Sequence, residues 1–186
     1  NFGSSGPAGY RKAERLMKQA EKFNRPILTL INTAGAYAAP ESEENGIGEA
    51  IASMLITMSE LTVPTLAIIL GEGGSGGAIA LAVSDQVWML ENSIYSILSP
   101  EGFASILWKD SRLASDAADM MKLTSHELLE LEVIDRIIAE GDDKGAYTKE
   151  ELANFLVPQI KATFEKLEEM TAKERVEKRY NRFRKF

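Results

Sequence analysis

The chain has 186 residues and a net charge of -7, which is enough for one domain that buries roughly 70% of the surface of its unfolded form. It has no cysteine and one histidine, which argues against disulfides, thiolate zinc sites and histidine-built metal sites and fits a reducing, cytoplasmic compartment. The acidic balance speaks against nucleic acid as the main partner, and no apolar run approaches the ~20 residues of a membrane span. A start at Asn1, with no methionine and no signal-peptide pattern, suggests a piece of a longer chain.

Pro7 suits a first helical position, and Tyr10, Ala13, Leu16, Met17, Ala20 and Phe23 form one stripe of 3.6 period. That predicts an amphipathic helix ending near Asn24, where Arg25-Pro26 breaks it. Ile27 to Ile31 reads as a buried parallel strand running into the small-residue loop Asn32 to Pro40, where backbone can approach a ligand closely. The acidic Glu41 to Glu44 precedes a long helix from about Gly46 to Glu60, and acid there reads first as dipole complementarity. Pro64 leads the next strand, Leu66 to Leu70, so helix, strand and loop repeat at about 38 residues and right-handed crossovers with a parallel sheet follow.

That strand enters Gly71-Glu72-Gly73-Gly74-Ser75-Gly76-Gly77, with five glycines in seven positions, and an Ala/Ile/Leu run opens directly after it. Strand, glycine turn and helix place free amides and the positive end of a helix dipole at one point, which suits negative charge. Several readings share the pattern. Gly71, Gly73 and Gly76 spell a dinucleotide fingerprint, with Glu91 available for a ribose; Gly73 to Gly77 spell a nucleophile elbow, with His126 as the only histidine. The amides alone would make an oxyanion hole, with Ser75 as a small turn residue. Close packing of helix on sheet is the remaining reading. No Gly-Lys-Ser/Thr follows, so a Walker loop is excluded.

The helix after Gly77 must be short, since Ser84-Asp85 interrupts it and Gln86 to Leu90 and Ser93 to Leu98 resume as strands. Ser99-Pro100 starts a helix through Lys109, another runs from about Leu113 to Lys122, and Thr124 to Glu127 is a capping box that leaves His126 in an exposed first turn. Ile134 to Ala139 is a further strand and Gly141 to Gly145 a turn. Thr148 to Glu151 and Thr171 to Glu174 are capping boxes for two last helices, the first holding Pro158 as a kink. The basic tail from Lys173 could meet an acidic partner but reads first as a solvated helix face.

Gly71 to Ala78, Ser96 to Gly102 and Ala104 to Lys109 closely resemble the carboxyltransferase alpha subunit of bacterial acetyl-CoA carboxylase. The likeness also takes in Asn1-Phe2-Gly3, Gly9 to Ala13, Asn32 to Tyr37 and Arg179-Tyr180, nearly the whole chain. The resemblance implies an α/β crotonase (ClpP-like) fold, a spiral of ββα repeats with C-terminal helices. It implies a carboxyltransferase core over 1-147 that lacks the first part of the family's chain, and a helical extension over 148-186.

The implied activity is transfer of the carboxyl group from carboxybiotin, held on the biotin carboxyl carrier protein, to acetyl-CoA. The product, malonyl-CoA, opens fatty acid biosynthesis. By the same resemblance the backbone amides of Gly76, Gly77 and Ala78 would form the oxyanion hole for the ureido oxygen, and Gly35, Ala36, Tyr37, Gly73, Gly74 and Ser75 would bind substrate. The implied partners are a zinc-bearing beta subunit, in an alpha2-beta2 assembly, and a biotin carboxylase component that uses ATP; no metal is expected on this chain.

The family usually has Asp-Thr-Pro-Gly-Ala-Tyr-Pro-Gly at Asn32 to Ala39, an arginine at Asn45, a glutamine at Ile47, and Gly-Gly-Ala-His near Lys144 to Tyr147. These departures leave a divergent, non-catalytic paralogue as an alternative, beside a serine hydrolase and a nucleotide-cofactor oxidoreductase.

Overall fold

The computed structural model describes residues 1–143 and 145–186. Lys144, part of the turn and of the segment compared above, is outside the described residues. The first helix, α1 (Pro7–Lys22), has proline in its first turn and buries Tyr10, Glu14 and Met17. It stops where Asn24 takes a left-handed conformation, two residues before Pro26.

Next comes β1 (Ile27–Thr33), which pairs in parallel with β2 (Thr65–Gly74), Ile27 opposite Thr65. Between them lie α2 (Pro40–Glu44) and α3 (Ile47–Glu60). The acidic run expected only to precede a helix is thus a short helix itself, started by Pro40. β1 also departs from the buried strand expected: it lies at the sheet edge and alternates buried and exposed residues, with Leu28 and Leu30 facing out.

β2 is the organising strand. Its first half pairs with β3 (Gln86–Leu90), which pairs with β5 (Arg136–Ile138), giving the parallel order β1-β2-β3-β5. Its last residues, Glu72 to Gly74, pair instead with β4 (Ile94–Ser96). So Gly71 to Gly74, expected in the turn, are strand, and the turn narrows to Ser75 at the start of α4 (Ser75–Ala82). Glycine's missing side chain explains this, because a β-carbon on Gly73 would stand 2.9 Å from the Tyr95 ring on β4.

Ala67 and Ile69 of β2 face α4, packing with Ala78 and Ala82, while Leu66 and Ile68 face the opposite side with Trp88 and Leu90. Burial on both faces is why β2 reads as a continuous apolar run. Three further helices follow β4: α5 (Pro100–Trp108), α6 (Ala114–Met121) and α7 (Ser125–Glu130), with Ser99 and the Thr124 capping box at their starts as expected. The expected turn after β5 is a small hairpin, β6 (Gly141–Asp142) and β7 (Gly145–Ala146).

Leu156 of α8 (Lys149–Glu168) covers the second sheet face. Then α9 (Ala172–Phe183) turns two of its basic residues inward. Arg179, 2% exposed, is ion-paired to Asp85 at 2.7 Å and also donates to the carbonyls of Met58 and Leu61; Arg175 donates to the Thr62 carbonyl. The basic tail is therefore an anchor as well as a solvated face, since these guanidiniums satisfy carbonyls left at the end of α3. Among the described residues, no helix is long and apolar enough to cross a membrane.

Candidate functional site

The carboxyl end of β2 and the loop after β1 meet backbone to backbone. A β-carbon on Gly74 would overlap the Ala34 carbonyl, and one on Gly77 would overlap Tyr10 Oη and stand 2.5 Å from the Ala36 nitrogen. Gly35 has φ +144, and a β-carbon there would stand 3.3 Å from Ser75 Cβ. Thr33 holds this loop in shape, its hydroxyl donating to the Gly35 carbonyl at 2.8 Å and accepting from the Gly35 amide at 3.1 Å. Tyr37 is tied down by its own amide donating to the Ser5 carbonyl. Asn32 Oδ1 accepts the Glu72 amide at 3.1 Å, a contact an aspartate oxygen could also make, so the departure at that position leaves the contact possible.

Helix α4 begins without a side-chain cap, its N-cap being Gly74. The amides of Ser75, Gly76 and Gly77 are therefore free of intrahelical partners, and the helix dipole adds positive potential there. A helix with Gly74 as N-cap uses the Ala78 amide to close its first turn on the Gly74 carbonyl, and Ala78 is fully buried. Of the three expected oxyanion-hole residues, Gly76 and Gly77 thus keep free amides and Ala78 does not.

Gly35, Ala36, Gly74, Ser75 and Gly77 come together at this junction. Gly73 is adjacent but sits in the strand, buried beneath Tyr95, and Tyr37 is half-buried at the loop's far side. Burial pushes the Tyr95 phenol up to about 12, with the nearby Arg182 charge partly opposing, and burial likewise raises Tyr10. Tyr10 was legible in the sequence only as one member of an apolar stripe. Nothing local could have revealed that its hydroxyl reaches Gly77, because α1 and α4 are far apart in the chain.

The hydrolase geometry is not assembled. The Ser75 hydroxyl has no hydrogen-bond partner among the described residues. His126 is exposed, and its ring contact is to its neighbour Ser125 at 3.4 Å. A nucleophilic serine needs a base within hydrogen-bond reach. Glu91, the ribose candidate, is fixed through its backbone, its amide donating to the Ile138 carbonyl and its carbonyl accepting from Ser125, while the residue itself is exposed. Among the described residues no acid or histidine cluster could hold a metal ion. Beyond β4 an apolar pocket of about 420 Å³ is lined by Ile79, Tyr95, Phe103, Met120, Leu128 and Val133. The junction itself can stabilise negative charge on an oxygen; it offers no general base.

The whole chain, residues 1–186, matches the family described as acetyl co-enzyme A carboxylase carboxyltransferase-like. It is 58% identical over 186 residues to the acetyl-coenzyme A carboxylase carboxyl transferase subunit alpha of Streptococcus pneumoniae strains Hungary19A-6 and 70585, covering all of this chain and 71% of each relative.

Among solved structures it resembles a Pseudomonas malonate decarboxylase hetero-tetramer in complex with coenzyme A (TM-score 0.73, 15% identity, 87% of this chain and 66% of that one). It also resembles transcarboxylase 12S (TM-score 0.67, 20% identity, 73% of this chain and 28% of that one). A third similar structure is the beta subunit of P. aeruginosa geranyl-CoA carboxylase (TM-score 0.70, 18% identity, 88% and 33%). At these identities the structural likeness shows the fold alone, that of the crotonase-like carboxyltransferases. The 58% identity over every residue, with the family match, shows more: this chain belongs to the family of acetyl-coenzyme A carboxylase carboxyl transferase alpha subunits.

Proposed function

We propose that this chain forms the carboxybiotin-receiving half of a biotin-dependent carboxyltransferase that converts acetyl-CoA to malonyl-CoA, the entry to fatty acid biosynthesis. The observation that carries the proposal is the uncapped start of α4, with the free amides of Gly76 and Gly77 beside the Gly35-Ala36 loop. Carboxybiotin supplies the carboxyl group and, on giving it up, acquires negative charge on its ureido oxygen. The two amides would donate to that oxygen from fixed positions, an effect worth about 3 kcal/mol per donor in comparable oxyanion holes. The fit is chemical: the junction presents N–H and O–H donors, and its close backbone packing leaves no room for side chains at Gly74 and Gly77. No nucleophile is required, which agrees with the unpaired Ser75 hydroxyl and with His126, whose ring contact is to Ser125.

The reading carries its partners with it: a zinc-bearing beta subunit holding acetyl-CoA in an alpha2-beta2 assembly, the biotin carboxyl carrier protein, and the ATP-using biotin carboxylase, all in the cytoplasm. Within the chain, residues 1-147 are proposed as the carboxyltransferase core and 148-186 as its helical extension. Ile47 and Asn45 do not argue for an inactive paralogue. Ile47 is buried in the same apolar cluster as Tyr10, and Asn45 offers its carbonyl to Arg11 at 3.0 Å, so both serve the α1 to α3 packing.

The test is reconstitution. The chain mixed with the beta subunit should transfer carboxyl between malonyl-CoA and biotin, and the chain alone should not. Measurable malonyl-CoA decarboxylation by the isolated chain in the presence of biotin would defeat the half-site reading, and an inactive complex would defeat the function.

A further inference from the structure

The glycine-rich segment holds five glycines, yet none of them stands at the one position whose backbone calls for glycine. Ser75 has φ +60, in the left-handed region, while Gly71, Gly73, Gly74, Gly76 and Gly77 do not. A serine there costs free energy that glycine would avoid, and no hydrogen bond of its hydroxyl offsets that cost among the described residues. A local rule broken without compensation points to a function of the side chain.

A second, independent observation concerns Tyr10. Its residue is 3% exposed, and its hydroxyl is directed at Gly77 beside the Ala36 amide, again with no hydrogen-bond partner among the described residues. Among the described residues Tyr10 Oη is not one of the sealed, unpartnered side-chain atoms, so this hydroxyl stays open to a molecule that enters the junction. The Tyr10 hydroxyl at Gly77 and a half-buried Ser75 at the start of the same helix join the free amides of Gly76 and Gly77 in a donor set for an oxygen-bearing ligand, not merely a packed turn.

We propose that the Ser75 hydroxyl is a catalytic hydrogen-bond donor, joining the Gly76 and Gly77 amides on the oxygen that gains charge as the carboxyl donor's N–C bond breaks. This rests on the carboxyltransferase reading. Serine forms no covalent bond and keeps its proton: the electron pair of the broken bond stays on the donor's ureido group, the released CO2 bonds to the α-carbon of acetyl-CoA, and the proton lost from that carbon ends on the ureido nitrogen. The role replaces that of a small turn residue, for which glycine would serve better.

The experiment compares wild type, Ser75→Gly and Ser75→Ala, each assembled with the beta subunit, by melting temperature and by kcat and KM for carboxyl transfer from malonyl-CoA to biotin. Ser75→Gly relieves the backbone and removes the hydroxyl, so its melting temperature should hold or rise while kcat falls about a hundredfold with KM little changed. Ser75→Ala should lose the same rate without the gain in melting temperature. A Ser75→Gly complex that melts no lower than wild type and turns over within about threefold of it overturns the assignment alone. Equal loss of kcat and of stability in both variants also overturns it, in favour of a structural serine. A wild-type complex with no transfer overturns the functional reading and the assignment with it.

Discussion

Gly76 and Gly77 are neighbours in sequence and opposite in environment, and that difference decides what a substitution at each can teach. A β-carbon on Gly77 would overlap Tyr10 Oη and press on the Ala36 and Gly35 backbone, which cannot yield as a flexible side chain can. Gly77→Ala should therefore cost about 1–3 kcal/mol of stability. On Gly76 the nearest atom to an added β-carbon is Ile51 Cγ2 at 3.7 Å, an ordinary contact, so Gly76→Ala should leave stability unchanged or raise it by up to ~1 kcal/mol through helix propensity. Urea denaturation of the two variants checks the contrast, and equal destabilisation would contradict it. At Gly77 packing and amide donation cannot be separated by mutation, because the added carbon strikes the very loop that flanks the site. The free amides were legible from five glycines at a strand end. Which of them stays free was not, since that depends on where the helix begins.

At the scale of elements, α9 is held by a buried ion pair and not by an apolar stripe. Arg179 Nε and Nη2 both donate to Asp85 Oδ1, at 2.9 and 2.7 Å, and Nη1 reaches the carbonyls of Met58, Ser59 and Leu61 at the end of α3. Asp85 also accepts from the Thr65 amide and hydroxyl through its other oxygen, so one carboxylate joins α9 to the start of β2. Removing one partner of such a pair strands the other's charge, and Arg179→Ala should cost about 3–5 kcal/mol. Chemical denaturation measures this; a loss below ~1 kcal/mol would mean that α9 is anchored elsewhere. Since Arg179 grips the segment leading into β2, the same variant should loosen the strand that carries the glycine turn. The sequence showed a basic helix but gave no means to tell inward from outward arginines, because the partners that draw them in, Thr62 for Arg175 and Asp85, Met58 and Leu61 for Arg179, lie far upstream.

For the whole molecule, the alkaline limit of stability contains a contribution from one phenol. Tyr95, packed over Gly73, has its pKa pushed up to about 12 by burial, against about 10 when unfolded. The folded state thus holds this proton more tightly than the unfolded chain. Its contribution is fully present below pH ~10 and is lost as pH rises from about 10 to about 12. Tyr95→Phe should flatten the fall in stability over that window by on the order of 1–2 kcal/mol, read as the pH dependence of the urea midpoint. Parallel curves for variant and wild type would show that the phenol is better solvated than its packing indicates.

The elements themselves were readable from local chemistry. Proline at helix starts, capping boxes and periodic apolar stripes act over a few residues, and the repeat they compose is realised as a parallel ladder with Ile27 opposite Thr65. Long shared blocks made the family legible as well. What needed tertiary structure was every property set by residues distant in sequence. Among these are the split pairing of β2 with β3 and β4, the exposure of Leu28 and Leu30 on an edge strand, and the inward turn of Arg175 and Arg179. The left-handed Ser75 and the Tyr10 hydroxyl at Gly77 belong with them. Local propensity sees only neighbours along the chain, whereas burial, register and backbone strain are decided by which distant atoms the fold brings into contact.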